Sequence, residues 1–197
     1  WTQQIDKKIV RSVDILSAFK PGERIMFLHA HIDARITVNS KSIKLPGIVT
    51  FRGPSVAVLL WCYTKEGIHI LMVQQMRVAV GRFTWEPPAG MLDNKTCRGA
   101  MFDEIREEVG LTVHENLLVD LGTVMASPGL LDETFHLYAA HCPTIINASP
   151  RGLLDEGEVI SNVAVFHIDE VPIEDAKIRL LLHAAGQKGI FESKEID

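Results

Sequence analysis

The chain predicts an α+β fold, a mixed sheet set between helices, with a small β unit in front of it. Three observations carry that class. Apolar runs of strand length, bounded by Gly, Pro and Asn-Ser punctuation, outnumber the segments with helical periodicity. The helical segments stand apart, one in the middle of the chain and one near its end. Residues 55–62 are almost continuously apolar, the mark of a strand covered on both faces.

Taken in order, residues 1–20 mix charge with apolar residues at Ile9, Val13 and Leu16, a helical spacing closed by Pro21-Gly22. Residues 24–38 read as a strand, Asn39-Ser40 as a turn, and residues 43–45 as a second short strand before Pro46-Gly47. This segment, residues 1–51, is too small to bury its own faces. It is expected to dock on the remainder, residues 52–197, or on a second copy, so a homodimer is expected. Residues 55–62 and 68–73, joined by Lys65-Glu66-Gly67, are two buried strands at the sheet centre. Residues 74–82 then carry Arg77 and Arg82 toward an acidic stretch; their guanidinium forks match phosphate oxygens, and ordinary surface charge is the competing use.

Met101, Ile105 and Val109 recur every fourth position and define the buried face of a helix, with Gly110 placed to end it. Glu104, Glu107 and Glu108 are assigned to the other side. Strands follow at residues 117–125 and 135–142, separated by the turn Ala126-Ser127-Pro128-Gly129. Residues 143–150 are an irregular connection, and residues 151–158 form a loop carrying Asp155, Glu156 and Glu158. A last strand at residues 159–168 precedes Pro172 and a helix with Ile178, Leu181 and Leu182 inward.

Composition narrows the function. With 197 residues, 47% hydrophobic and 23% charged, the chain is an ordinary globular sequence. A net charge of -5 offers no basic footprint, which argues against nucleic acid as partner. No apolar run reaches membrane-span length. Three widely spaced cysteines, Cys62, Cys97 and Cys142, suggest neither a disulfide framework nor a zinc knuckle. A reducing intracellular compartment, the cytoplasm, is therefore expected, with an organelle address ahead of Trp1 left open. His69, His136 and His141 lack metal-ligand spacing and are expected to be structural. Glu104, Glu107 and Glu108, clustered within one turn, repel one another unless a cation joins them, and hard divalent ions such as Mg²⁺ or Mn²⁺ prefer such oxygens.

Pro88-Ala89-Gly90, followed by Glu104-Ile105-Arg106-Glu107-Glu108-Val109-Gly110-Leu111, resembles the Nudix box, G-x5-E-x7-R-E-U-x-E-E-x-G-U, where U is aliphatic. The second half matches closely. In the first half the span from Gly90 is one residue short, Lys95 or Thr96 falls where the first glutamate is usual, and Asp103 replaces the arginine. Lys95 or Arg98 would have to supply the missing cation, or the loop is built differently. The likeness continues through Arg52-Gly53-Pro54, Gln75-Met76-Arg77, Glu86-Pro87-Pro88 and Ser127-Pro128-Gly129, which look like the subgroup that hydrolyses ADP-ribose and other nucleoside diphosphate sugars.

The resemblance implies an α/β/α sandwich around a mixed β-sheet, with the small N-terminal β unit swapped across a homodimer. It implies metal-assisted cleavage of a pyrophosphate, with Mg²⁺ (or Mn²⁺) on Glu104, Glu108 and the Ala89 carbonyl and Glu107 supporting it. Glu158, with Glu156 as competitor, becomes the candidate general base. Arg77, Arg82, Glu86, Trp85, Arg52 and Pro128 become candidates for the substrate, a small-molecule sugar nucleotide of the ADP-ribose, ADP-glucose or UDP-glucose type. For Trp85 a core or interface position competes with stacking on a base. A module that binds a sugar nucleotide without cleaving it, and a Nudix hydrolase of another nucleoside diphosphate derivative, remain the alternatives.

Overall fold

The computed structural model describes residues 9–20, 22, 25–145, 148, 152, 153 and 159–192. They fall into two compact units, one comprising Trp1–Pro54 with Met125–Thr134 and the other Ser55–Val124 with Phe135–Asp197.

The first unit is built on a long strand. β1 (Val10–Phe19) lies antiparallel to β2 (Phe27–Val38), whose other edge takes β3 (Lys41–Lys44) and β4 (Ile48–Phe51), both antiparallel. The helix expected from Ile9, Val13 and Leu16 is thus a strand where described; its residues 1–8 lie outside the described residues. The reason is tertiary: β1 pairs with β2 along its whole length, and that ladder overrides a weak local periodicity. Along β2 the pleat alternates, Ala30, Ile32 and Ala34 buried and the polar His29, His31, Asp33 and Arg35 on the opposite face. Asn39 and Ser40 both take positive φ, 49° and 64°, the two-residue turn that a hairpin of this twist requires. Gly47 is obligatory because a Cβ there would stand 1.9 Å from the Ile32 carbonyl oxygen.

The second unit is a mixed sheet between two helices, as the sequence predicts. β5 (Ser55–Thr64) and β6 (Gly67–Arg77) are antiparallel neighbours from Trp61 to Thr64 and from Gly67 to Ile70. Beyond that they part. β7 (Arg82–Glu86) pairs with β6, β8 (Ala89–Met91) pairs with β5, and this short meander fills the split. After helix α1 (Cys97–Val109) come β9 (Leu118–Met125) and β10 (Thr134–His141), the latter parallel to β5. β11 (Gly152–Leu153) and β12 (Val159–His167) add the other edge, with β12 antiparallel to β6, and α2 (Ala176–Gln187) ends the unit.

The helices cover opposite faces. Val56, Val58, Leu60 and Cys62 of β5 meet Ala100, Met101, Ile105 and Val109 of α1. Ala57, Leu59 and Trp61 meet Ile178, Leu181 and Ala185 of α2. The uninterrupted apolar run of β5 follows from this double coverage. Ile105, fully buried, makes one side of that core; truncation to Ala would cost about 2–5 kcal/mol. Thr96 caps α1 by accepting the Gly99 N–H at 3.1 Å, and Gly110 closes it at φ 70°.

Candidate active site

The site forms where β5 and β6 part, because there backbone polar groups and acidic side chains reach the same place. Val58 donates its N–H to the Pro88 carbonyl at 3.0 Å, next to the Ala57–Ala89 pair. In an antiparallel ladder that alternation turns the Ala89 N–H and carbonyl away from β5. The N–H goes to Glu108 Oε2 at 3.2 Å. The neighbouring Gly90 presents a bare α-carbon to Glu104, and a Cβ at that position would lie 1.8 Å from Glu104 Oε1. Two consecutive residues of β8 therefore each receive a carboxylate from one turn of α1.

The three glutamates are not equivalent. Glu108 is fully buried, and its Oε1 accepts Gln75 Nε2 at 2.9 Å. Its place on the buried face corrects the expectation that all three lie opposite the apolar stripe: Glu108 stands seven residues after Met101, two helical turns on. A buried carboxylate persists only with such donors. Glu104 is half-buried, while Glu107 is exposed and accepts from Arg106 Nη2 at 3.2 Å. Among the described residues no group of three or more His, Cys, Asp or Glu side chains is disposed to hold a metal. The groups expected to hold a metal, Glu104, Glu108 and the Ala89 carbonyl, offer only oxygen, a donor set that suits Mg²⁺ or Mn²⁺.

The altered half of the acidic motif has its own logic. Lys95 Nζ binds Asp103 Oδ2 at 2.6 Å, and Arg106 Nη2 binds Asp103 Oδ1 at 2.5 Å. Counted back from Glu104, Lys95 and Asp103 occupy the places where glutamate and arginine are usual, so the pair stands with its charges exchanged. Arg98 goes elsewhere, to Glu115 at 2.8 Å. The Lys95 ammonium, helped by Arg106, holds the Asp103 carboxyl below its ordinary range. Lys95, Asp103, Arg106 and Glu107 make a chain of alternating charge from the loop to the exposed glutamate. Asp93 and Asn94, at φ 50° and 65°, reverse the loop just before Lys95.

Among the candidate substrate residues, Arg77 grips Glu86 with two bonds, Nε to Oε1 at 2.7 Å and Nη2 to Oε2 at 2.8 Å. Thr84 Oγ1 donates to Glu86 Oε1 at 2.8 Å, and Lys177 Nζ to Oε2 at 3.2 Å. Burial would raise the Glu86 carboxyl, but the Arg77 bonds, the Lys177 charge and the Thr84 hydroxyl outweigh it and bring it down to about 2. Arg82 pairs with Glu174 at 3.0 Å. Trp85 packs edge-on against Phe166, ring centres 5.1 Å apart, on the α2 side of the sheet.

Arg52 and Pro128 belong to the first unit. Arg52 pairs there with the buried Glu133 and lies 5.7 Å from the Phe27 ring centre, and Asp132 Oδ1 accepts the Arg52 and Gly53 N–H groups at 2.8 and 3.0 Å. Pro128 is exposed in the turn that follows Ser127. Glu156 and Glu158 lie outside the described residues. His69 and His136 meet Thr64 and Thr123 through Nδ1, and His141 stacks beside Trp61. Lys177 is a partner that sequence reasoning did not single out, and Gln75 stood there only within Gln75-Met76-Arg77, without a role. Gln75 lies in the run of polar residues that ends a buried strand, which is the signal available for it.

No family model matches the chain. In sequence it is similar to "Nudix hydrolase 14, chloroplastic" of Arabidopsis thaliana, 29% identical over 210 residues covering 95% of this chain and 65% of that protein. An ADP-ribose pyrophosphatase of Mycobacterium tuberculosis is 43% identical over 120 residues, 56% of this chain and 55% of that one. An uncharacterised Nudix hydrolase of Schizosaccharomyces pombe is 33% identical over 115 residues, with 56% and 55% covered. The chain thus spans 55–65% of the length of these curated relatives. The crystal structure of an ADP compounds hydrolase matches with a TM-score of 0.61 at 16% identity, covering 92% of this chain and 96% of that chain. In sequence the chain is thus similar to Nudix hydrolases, and its fold is like that of the solved ADP compounds hydrolase.

Proposed function

We propose that the protein hydrolyses the pyrophosphate bond of a nucleoside diphosphate sugar, releasing a nucleoside monophosphate and a sugar phosphate. The observation that carries this reading is the pairing of Glu108 with the Ala89 N–H and of Glu104 with the bare Gly90. ADP-ribose comes first among substrates because a relative named for it is 43% identical over 120 residues, 56% of this chain.

Glu104, Glu108 and the Ala89 carbonyl would hold Mg²⁺ or Mn²⁺, which neutralises diphosphate charge and lowers the pKa of water. The chain's own groups do the rest. Glu108 is fixed by Gln75 and the Ala89 N–H, so its carboxylate keeps one orientation. Arg77, held by Glu86 through Nε and Nη2, is the cation assigned to the diphosphate oxygens. Glu107, exposed beside this pair, orients the attacking water. Glu158, or Glu156, takes that water's proton from the late acidic loop.

The exposed apolar side chains of β1, Val13, Ile15, Leu16 and Phe19, support a second copy as the partner of the first unit. The reversed Lys95–Asp103 pair favours a second reading, a site that binds a sugar nucleotide without turnover. Mg²⁺-dependent release of AMP or UMP, lost in Glu108→Gln, supports the enzyme. Binding with no turnover under any divalent ion supports the sensor. Activity on dinucleoside polyphosphates or coenzyme A with none on ADP-ribose or UDP-glucose would point to another chemistry of the same family. Among the described residues no helix is long and apolar enough to cross a membrane.

A further inference from the structure

We infer that Lys177 is a positioning residue for this site: from the first turn of α2 it holds Glu86, and Glu86 fixes the guanidinium plane of Arg77 toward the diphosphate. The inference rests on the pyrophosphatase reading above.

Glu86 is buried, and each of its oxygens accepts two bonds: Oε1 from Arg77 Nε and Thr84 Oγ1, Oε2 from Arg77 Nη2 and Lys177 Nζ. A carboxylate has about four acceptor sites, so these partners fill it. A sugar hydroxyl would have to displace one of them, which makes Glu86 an anchor for Arg77 in preference to a ligand for ribose.

Lys177 is equally committed. Its side chain is only 13% exposed, its Nζ also donates to Asp175 Oδ2 at 2.8 Å, and the ammonium lies 5.7 Å from the centre of the Phe135 ring. Asp175 caps α2 by accepting the Lys177 N–H at 2.7 Å, so the backbone at the helix start and the ammonium are held by one carboxylate. Arg77, Glu86, Lys177 and Asp175 thus alternate in sign and tie helix α2 to the hairpin of β6 and β7. Without Lys177 the buried Glu86 keeps a single cation, and the Arg77 fork loses the bond that fixes its carboxylate from the far side.

The test uses the full chain with Mg²⁺, measuring ADP-ribose turnover and calorimetric binding of α,β-methylene ADP-ribose. Lys177→Met should raise KM and Kd together by about tenfold, leave kcat within about threefold and keep the cooperative thermal transition. Lys177→Arg, which restores a cation to Glu86, should recover most of the affinity. Wild-type protein that binds and turns over, with Lys177→Met unchanged in Kd, would overturn this inference and leave the pyrophosphatase reading standing. So would a fall in kcat that merely follows a fall in Tm, with Kd constant. Wild-type protein that neither binds nor hydrolyses would remove the pyrophosphatase reading and this inference with it.

Discussion

Replacing Gly90 by Ala should disable the site while sparing the fold. Gly90 lies in β8 and is not among the glycines at positive φ, so an added methyl imposes no left-handed strain on the backbone. What it meets is the Glu104 carboxylate, 1.8 Å from Oε1, 2.1 Å from Cδ and 2.6 Å from Oε2. Ordinary contact begins at 3.4 Å, so that carboxylate must retreat by about 1.6 Å. Glu104 is half-buried and the atoms met are the end of its flexible side chain, so the carboxylate moves before the backbone does. A reacting group displaced by about 1 Å costs about 100-fold in rate, equivalent to about 2.7 kcal/mol of transition-state stabilisation. Thermal unfolding should therefore show a Tm within a few degrees of wild type, with a small gain possible from the stiffer unfolded chain. Mg²⁺-dependent hydrolysis of ADP-ribose should fall by about two orders of magnitude in kcat/KM. A Gly90→Ala protein that folds and retains activity within threefold would refute the placement of Glu104 against β8 as the working arrangement.

Three further outcomes are expected. Charge exchange at Lys95 and Asp103 should behave as a pair: Lys95→Glu alone should lower activity, and adding Asp103→Arg should recover much of it, with stability changing by no more than about 1 kcal/mol because the pair is solvent-exposed; equal losses in single and double variants would dismiss the pair. Glu86 has a folded-state pKa of about 2, so its contribution is complete above the ordinary carboxylate range near 4.5 and is lost as pH falls through 2. It amounts to at most about 3 kcal/mol, and chemical denaturation should show a shallower loss of stability between pH 5 and 2 in Glu86→Gln than in wild type. Ile15→Glu, at an exposed position of β1, should shift a dimer toward monomer in light scattering without unfolding the chain, and an unchanged mass would count against β1 as the contact.

Much of the second unit was legible because its signals are non-local in consequence but local in sequence. The apolar run of β5 announces a strand covered twice, and Met101, Ile105 and Val109 announce the buried face of α1. Gly90 and Gly110 mark the two ends of the motif. The same periodicity misplaced Glu108, since its charge argued for solvent while its position two turns after Met101 argued for the sheet. Its burial depends on Gln75, 33 residues away, and on a backbone N–H, neither of which has a local signature. Lys177 was hidden for a similar reason: it lies 91 residues from Glu86 and looks like any lysine in a first helical turn. Residues 9–19 failed in the opposite way, where three apolar residues at helical spacing yielded to a partner strand supplied by β2. The exchange of charge at Lys95 and Asp103 was visible as a departure and became intelligible once both ends were seen to meet.

The parallel register of β5 and β10 also bears on how the chain reaches its fold. Ser55 pairs beside Phe135, so one edge of the most apolar strand waits for a partner about 80 residues downstream. At roughly 5–20 residues per second of synthesis, that edge stays open for several seconds. The exposed segment carries no charge and no proline between Ser55 and Cys62, the composition most prone to pair with another chain. The antiparallel turn to β6 closes soon after synthesis but pairs only Trp61–Thr64, on the edge opposite β10. Yield on expression should therefore depend on how fast β10 is delivered, and slowing translation between the two strands should cost more protein than slowing it anywhere after His141.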